Sequence, residues 1–335
     1  MRCSDRVKQA PMALIAPTAL TLVSSLSLLL PATPGWAQDW PQPRAVRIVV
    51  PFTPGSATDV VSRAVFEQVS RQIGQPVVVE NRAGGGTTIG SALVAKAEPD
   101  GHTLLVNSTS HVVVAAAFKN LSYSVADDFT SVAGLITQPF AVATRTRYKS
   151  IAELVQYGRA NPGKLNYGTN GPGTSGHLFM EKFALAAKIK MTQIPFRGTP
   201  EAMTEVMADR LDMFPGPVLN TLKLAKDGRV NALAVSTPTR SAFMPDVPTL
   251  TEAGVPGADY VFWIGAFGPA RMRPAVTERI HAEVQRAMAV PDVKAKIANL
   301  GADPINSSVA EFDSFVKREI KSNAEIFISA GIKME

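Results

Sequence analysis

Short continuous apolar runs alternate along this chain with longer stretches whose apolar residues recur three and four positions apart. The first run, Val46–Val50, gives way to a stretch over 58–73 that sets Val61, Val65 and Val69 on one face. These are the periods of a buried strand and an amphipathic helix. Gly74 closes the helix, and 76–80 reads as the next strand. Gly84, Gly85 and Gly86 then turn the chain into a short helix over 89–97, and Pro99-Asp100-Gly101 marks a turn. A strand over 103–107 and an Ala/Val-rich helix over 111–118 follow.

The middle of the chain repeats the pattern. A helix running to 160 ends at Asn161-Pro162-Gly163, and strand 165–167 leads to a helix over 175–188. Strand 192–196 precedes a helix opened by Thr199 with Pro200 at its first position. Strand 211–214, helix Val218–Lys226 and strand 231–236 come next; strand 260–268 and helices over 275–289, 291–299 and 309–330 complete the chain. Ser56 with Asp59, Ser150 with Glu153 and Ser308 with Glu311 have the spacing of capping boxes. Alternating strands and helices predict an α/β architecture with largely parallel sheets.

Two strand-to-helix turns carry the candidate chemistry. One is Pro51-Phe52-Thr53-Pro54-Gly55-Ser56-Ala57-Thr58-Asp59; the other runs from Gly168 through Thr174-Ser175-Gly176 to His177. A helix N-terminus offers unpaired N–H groups and a partial positive charge, so each turn suits an anion. Two such turns facing each other make a clamp for a small acid.

The first 37 positions read as an export signal rather than as fold. Arg2, Arg6 and Lys8 precede an apolar stretch over 12–30, and Gly35-Trp36-Ala37 supplies the small residues of a cleavage site. The uninterrupted apolar part, 20–30, is well short of the roughly 20 residues that span a bilayer. The expected mature chain therefore starts near Gln38 and is exported to the periplasm. Cys3 is the only cysteine and leaves with the signal, so neither disulfide, thiolate nucleophile nor cysteine metal site is expected. Of the net charge of +6, the signal accounts for +2. The remaining lysines and arginines are spread along the chain, without the basic stripe of a nucleic-acid binder.

Other motifs fit less well. The run Gly84-Gly85-Gly86-Thr87-Thr88-Ile89 would need glycine at position 89 to make a dinucleotide fingerprint, and an acidic residue is missing about 20 residues on. A tight turn that lets backbone approach a neighbour is its expected role. Gly173-Thr174-Ser175-Gly176-His177 approaches a nucleophile elbow but has His where Gly is required. The four histidines, His102, His111, His177 and His281, are too scattered for a metal site, and no cofactor is expected. At the start of the first helix Asp59 suits the dipole; its functional alternative is to order the 53–58 turn and repel wrongly charged ligands.

Several segments resemble one family. Pro51-Phe52-Thr53-Pro54-Gly55-Ser56-Ala57-Thr58-Asp59 is similar to the P-F-x-P-G-G-x-x-D segment of the substrate-binding proteins of tripartite tricarboxylate transporters, the Bug receptors. Val77-Val78-Val79-Glu80-Asn81-Arg82 with the glycine run, and Pro99-Asp100-Gly101-His102-Thr103-Leu104-Leu105, look like two further family segments. So do Asn161-Pro162-Gly163-Lys164-Leu165-Asn166-Tyr167, Gly173 to Leu178, and Pro245-Asp246-Val247-Pro248-Thr249 with Glu252-Ala253-Gly254.

The resemblance implies a type II periplasmic-binding-protein fold, two α/β lobes joined by crossing strands with the ligand cleft between them. One lobe would comprise 38–141 plus 266–335, the other 142–265. The resemblance places carboxylate capture at Phe52, Thr53, Gly55, Ser56, Ala57 and Asp59. It adds Thr169, Asn170, Thr174, Ser175 and His177 from the opposing lobe, and Ser108 and Thr109 from the floor turn 107–110. Two departures stand out: Pro215 occupies the place of the family's usual acidic residue, and Ser56 that of its second glycine. Without that carboxylate an amino-acid ligand loses its ammonium partner, and a more apolar acid becomes admissible.

The implied function is a monomeric receptor that hands a small organic carboxylate to the large and small membrane subunits of the transporter. A receptor for a membrane sensor kinase and a secreted esterase acting through Ser175 are the alternatives.

Overall fold

Val46–Val50 (β1) is buried along almost its whole length, which its unbroken apolar sequence requires of a strand covered on both faces. In the computed structural model, which describes residues 40–145 and 147–329, it pairs in parallel with Val77–Asn81 (β2) and Thr103–Ser108 (β3). The expected signal at 1–37 lies outside the described residues. Ala57–Ile73 (α1) and Thr88–Ala95 (α2) connect these strands, and Ser110–Ala117 (α3) follows β3.

Between 119 and 149 the periodicity names no element, yet Phe129–Thr144 (β4) runs there for 16 residues. At about 3.3 Å per residue it is roughly 50 Å long. Nearly every position is buried, so neither face alternates with polar residues, and Gly134 and Pro139 interrupt the apolar run. The signal that identifies an amphipathic strand is therefore missing. Two irregularities in register, at Ser131/Ala133 and Gly134/Ile136, bend it against Val261–Pro269 (β9).

The second half of the chain builds its own sheet. Ile151–Ala160 (α4), Leu165–Thr169 (β5), Ser175–Ala187 (α5) and Met191–Pro195 (β6) follow in order. Thr199–Met207 (α6), Met213–Pro217 (β7), Val218–Lys226 (α7) and Asn231–Val235 (β8) complete it. β5 pairs in parallel with β6 along its length, and with β7 at Tyr167↔Met213. The chain returns through β9, then Pro274–Ala289 (α8), Pro291–Asn299 (α9), Asp303–Pro304 (β10) and Val309–Ser329 (α10).

Hydrogen bonding joins the strands in the order β2-β1-β3-β9-β4-β7-β5-β6, with β8 and β10 attached to β4. Partners change midway along β4: Pro139 pairs with Val261 of β9, and Phe140 with Pro217 of β7. β4 thus crosses from one half to the other, and the chain crosses back where Tyr260 leads into β9. The observed β7 extends three residues past the expected end at 214. Pairing with β5 stops at Met213, which leaves one side where a proline costs no ladder bond.

Phe267, Phe312 and Phe315 gather round the buried Trp263 on one side of β9, with ring centroids 5.5–6.3 Å from it. No helix among the described residues is long and apolar enough to cross a membrane.

Candidate functional site

At the β1–α1 turn Ser56 is the N-cap in extended conformation, and its hydroxyl accepts the Asp59 N–H at 3.3 Å. Gly55 sits at φ 80°, where a side chain would be strained, and lets the turn tighten. Asp59, 3% exposed, does not reach forward. Its carboxylate accepts the Gly55 N–H at 2.9 Å, Arg63 Nε at 3.0 Å and Asn81 Nδ2 at 2.8 Å. Burial alone would raise its pKa, but these three donors outweigh that and hold it below the usual carboxylate value. Asn81 also donates to the Phe52 carbonyl at 3.0 Å, so the turn is fixed from behind. Ala57 and Thr58, whose N–H groups in the first turn of α1 have no helical acceptor, line a cavity.

The β5–α5 turn meets the same cavity. Thr169 Oγ1 accepts the Gly171 N–H at 3.2 Å and Gln193 Nε2 at 2.8 Å. Thr174, the N-cap of α5, spends its hydroxyl on the Gly171 carbonyl at 2.8 Å. The Ser175 N–H donates to Ser110 Oγ at 3.0 Å, and the two hydroxyls lie 3.2 Å apart. Ser110 Oγ lies 3.1 Å from Ser108 Oγ, so buried hydroxyls run from the end of β3 to the start of α5. Asn170 Nδ2 donates to Thr199 Oγ1 at 3.2 Å.

The cavity encloses about 370 Å³ of space not filled by atoms, its open mouth included. Only about 20 Å³ of it admits the centre of a water molecule, so the two halves stand close together. Contacts across the mouth agree with this: Asn220 Nδ2 donates to the Gly55 carbonyl at 3.2 Å, and Thr53 packs on Gly198. Gly86 sits against the Pro172 carbonyl, where a Cβ would overlap the oxygen, giving the glycine run its role as a close-approach turn.

Of the residues expected at the site, Phe52, Ser56, Ala57, Ser108, Thr169 and Asn170 line the cavity, as do Thr174, Ser175 and Pro215. The other five are not among the lining residues. Thr53 and Gly55 form the seam just described, and Asp59 braces the turn. Thr109 Oγ1 accepts the Trp263 N–H at 2.9 Å and ties β3 to β9. His177 turns back so that Nδ1 accepts the Gly173 N–H at 3.3 Å, with its ring edge toward Phe327.

Seven lining residues were not anticipated. Thr58, Gly176 and Thr199 open helices and were within reach of the same helix-start rule. Phe140 and Phe262 lie on the crossing strands, and Phe214 and Pro217 flank Pro215. Their sequence signal is that of ordinary core.

Among the described residues, no imidazole lines the cavity beside Ser175. Ser175 is 4% exposed and its hydroxyl neighbour is Ser110 rather than an imidazole. His111 lies between Phe129 and Phe267, at ring-centroid distances of 4.7 and 4.1 Å, and burial pushes its pKa down to about 3. His281 Nδ1 lies 3.0 Å from the Val132 carbonyl oxygen. Among the described residues no cluster of three or more His, Cys, Asp or Glu stands ready for a metal.

A family model described as "Tripartite tricarboxylate transporter family receptor" matches residues 61–332. The chain belongs to this receptor family. Among its relatives is the UPF0065 protein in the tcbD-tcbE intergenic region of Pseudomonas sp. (strain P51), 40% identical over 261 residues, 77% of this chain and 78% of that one. The solved periplasmic binding protein BugD is 29% identical, with a TM-score of 0.84 over 88% of this chain and all of BugD. MatC from Rhodopseudomonas palustris, solved with bound malate, is 30% identical, with a TM-score of 0.81 over 84% of this chain and 98% of MatC. The receptor thus has the two-lobed α/β fold of periplasmic binding proteins, and its family consists of solute-binding receptors, not enzymes.

Proposed function

We propose that this receptor captures a small organic carboxylate in the cavity and delivers it to the large and small membrane subunits of a tripartite tricarboxylate-type transporter. The observation that carries the reading is the convergence of two helix starts, α1 and α5, on one cavity that no ionisable side chain lines among the described residues. An anion there is held by N–H and O–H donors and by the helix dipoles, worth up to about 2 kcal/mol in partly buried geometry. The malate bound by MatC supports a carboxylate.

The two lobes take residues 38–141 plus 266–335 and 142–265, with boundaries near the two crossings. Capture involves the lining residues named above, while Thr53, Gly55, Asp59, Thr109 and His177 shape the turns that present them. A ligand that touches both turns favours the closed arrangement, because only there are both sets of donors within reach. The closed receptor, a monomer exported to the periplasm by a cleaved signal at 1–37, then presents one composite surface to the membrane subunits.

Thermal unfolding of ligand-stripped protein against a panel of organic acids tests this. A ligand at 100 times its Kd adds about 2.7 kcal/mol of stability. At least one acid is expected to raise the melting temperature without being consumed. Hydrolysis of ester substrates, lost on changing Ser175, would contradict the receptor reading.

A further inference from the structure

We propose that Ser110 is a positioning residue that ties capture of the acid to the approach of the two halves: its hydroxyl caps α5 across the seam and directs a lining hydroxyl into the cavity. This rests on the carboxylate reading above. Helix α5 does not cap itself. Thr174 stands at its N-cap position in extended conformation but makes no side-chain bond to the helix, its hydroxyl going to the Gly171 carbonyl instead. The partner comes from Ser110, 65 positions earlier, whose Oγ accepts the Ser175 N–H at 3.0 Å. That bond satisfies one of the donors a helix start leaves open. Ser110 precedes the β4 crossing and Ser175 follows it, so the bond joins the two halves.

The turn that carries Ser110 is a fixed post. Thr109 donates its N–H to the Trp263 carbonyl at 2.9 Å and accepts the Trp263 N–H at 2.9 Å. The Ser108 N–H donates to Asn107 Oδ1 at 2.8 Å, and Asn107 Nδ2 donates to Ser91 Oγ at 3.3 Å. All five residues from Ser91 and Asn107 to Ser110 in this chain of contacts are fully buried. The Ser110–Ser175 bond therefore forms when α5 is brought to the post, and Gly173 shows how close the fit is: a Cβ there would overlap Phe118 and Ala117 at the end of α3. Ser110 is not among the lining residues, yet both its hydroxyl neighbours are, Ser108 Oγ at 3.1 Å and Ser175 Oγ at 3.2 Å. Its single hydroxyl proton goes to one of the two. The hydroxyl that receives it keeps its own proton for an anion in the cavity, and hydroxyls linked in this way polarise one another. Removing the Ser110 oxygen takes the common anchor from the Ser175 N–H and hydroxyl. Affinity then falls through faster escape, because the bond belongs to the closed arrangement and not to the encounter.

Surface plasmon resonance on ligand-stripped protein tests this with malate, adipate, citrate and benzoate, the rates being read on whichever binds wild type most tightly. Ser110→Ala is expected to raise the dissociation rate of that acid about fivefold or more and to leave its association rate within about twofold, with an unchanged circular dichroism spectrum. In a Ser175→Ala background the same change is expected to raise dissociation by a clearly smaller factor, because Ser110 acts partly through the Ser175 hydroxyl. Wild-type dissociation in Ser110→Ala, a loss of affinity carried by slower association, or an equal factor in both backgrounds overturns the proposal and leaves the carboxylate reading standing. None of the four acids binding wild type overturns both. In the wild type, amide hydrogen exchange over 175–178 is expected to slow when that acid is bound; unchanged exchange overturns the proposal even where Ser110→Ala does not fold.

Discussion

Ser175 and His111 show how differently two buried polar side chains serve this molecule. Ser175 borders the cavity and shares its hydroxyl environment with Ser110 across the gap between β3 and α5. On the proposed reading Ser175→Ala removes a donor to a bound carboxylate, and a hydrogen bond to a charged group is worth about 1.5–3 kcal/mol. Affinity for the bound acid is expected to fall by roughly 10- to 150-fold in calorimetry; unchanged affinity would remove Ser175 from the site. His111 has no such part, held neutral between two phenyl rings. The unfolded chain binds a proton at this residue below its ordinary pKa of 6.5, while the folded chain does so only near 3. Its contribution to stability is therefore complete above pH 6.5 and declines as the pH falls between the two values. The decline is up to about 1.4 kcal/mol per pH unit. Denaturant unfolding of His111→Leu is expected to show a shallower pH dependence than wild type from pH 6 to 4. Parallel curves would mean that His111 is not buried neutral.

At the scale of elements, legibility follows how exposed each one is. Helix α1 declares itself through Val61, Val65 and Val69 on one face, Ser56 as cap and Gly74 as stop, and all three features stand in the structure. The caps of α4 and α10 behave likewise, with Glu153 and Glu311 N–H groups donating to Ser150 and Ser308 at 3.1 and 3.2 Å. Strand β4 was silent because it is buried on both faces, and a prolines-and-glycine-interrupted β7 read as ending too soon. The candidate site divides in the same way. Its polar flanks were visible, since a Ser/Thr/Gly turn before a helix has a local signature. Its aromatic floor was not, because Phe140 and Phe262 meet only when two strands more than a hundred positions apart pair. His177, singled out by its place in the motif, accepts the Gly173 N–H of its own turn.

The whole molecule is organised around a seam that must fit closely to complete the cavity. Gly198, at φ −166°, has ordinary extended backbone, so its lack of a side chain answers to space rather than conformation. A Cβ there would overlap Thr53 on the facing turn. Gly198→Ala is accordingly expected to hold the halves apart while each still folds. The variant should retain an unliganded melting temperature within a few degrees of wild type, bind its acid at least tenfold more weakly, and show a smaller ligand-induced contraction in solution scattering. Wild-type affinity and contraction would show that this seam does not govern closure. The central claim is that an acid's carboxylate sits between the starts of α1 and α5, and a crystal structure of the receptor with its tightest-binding acid tests it most directly. The expected result is a carboxylate oxygen about 2.7–3.1 Å from the Ala57 or Thr58 nitrogen and another within reach of Ser175 Oγ. A carboxylate turned away from both helix starts, or an acid bound outside this cavity, would contradict the account.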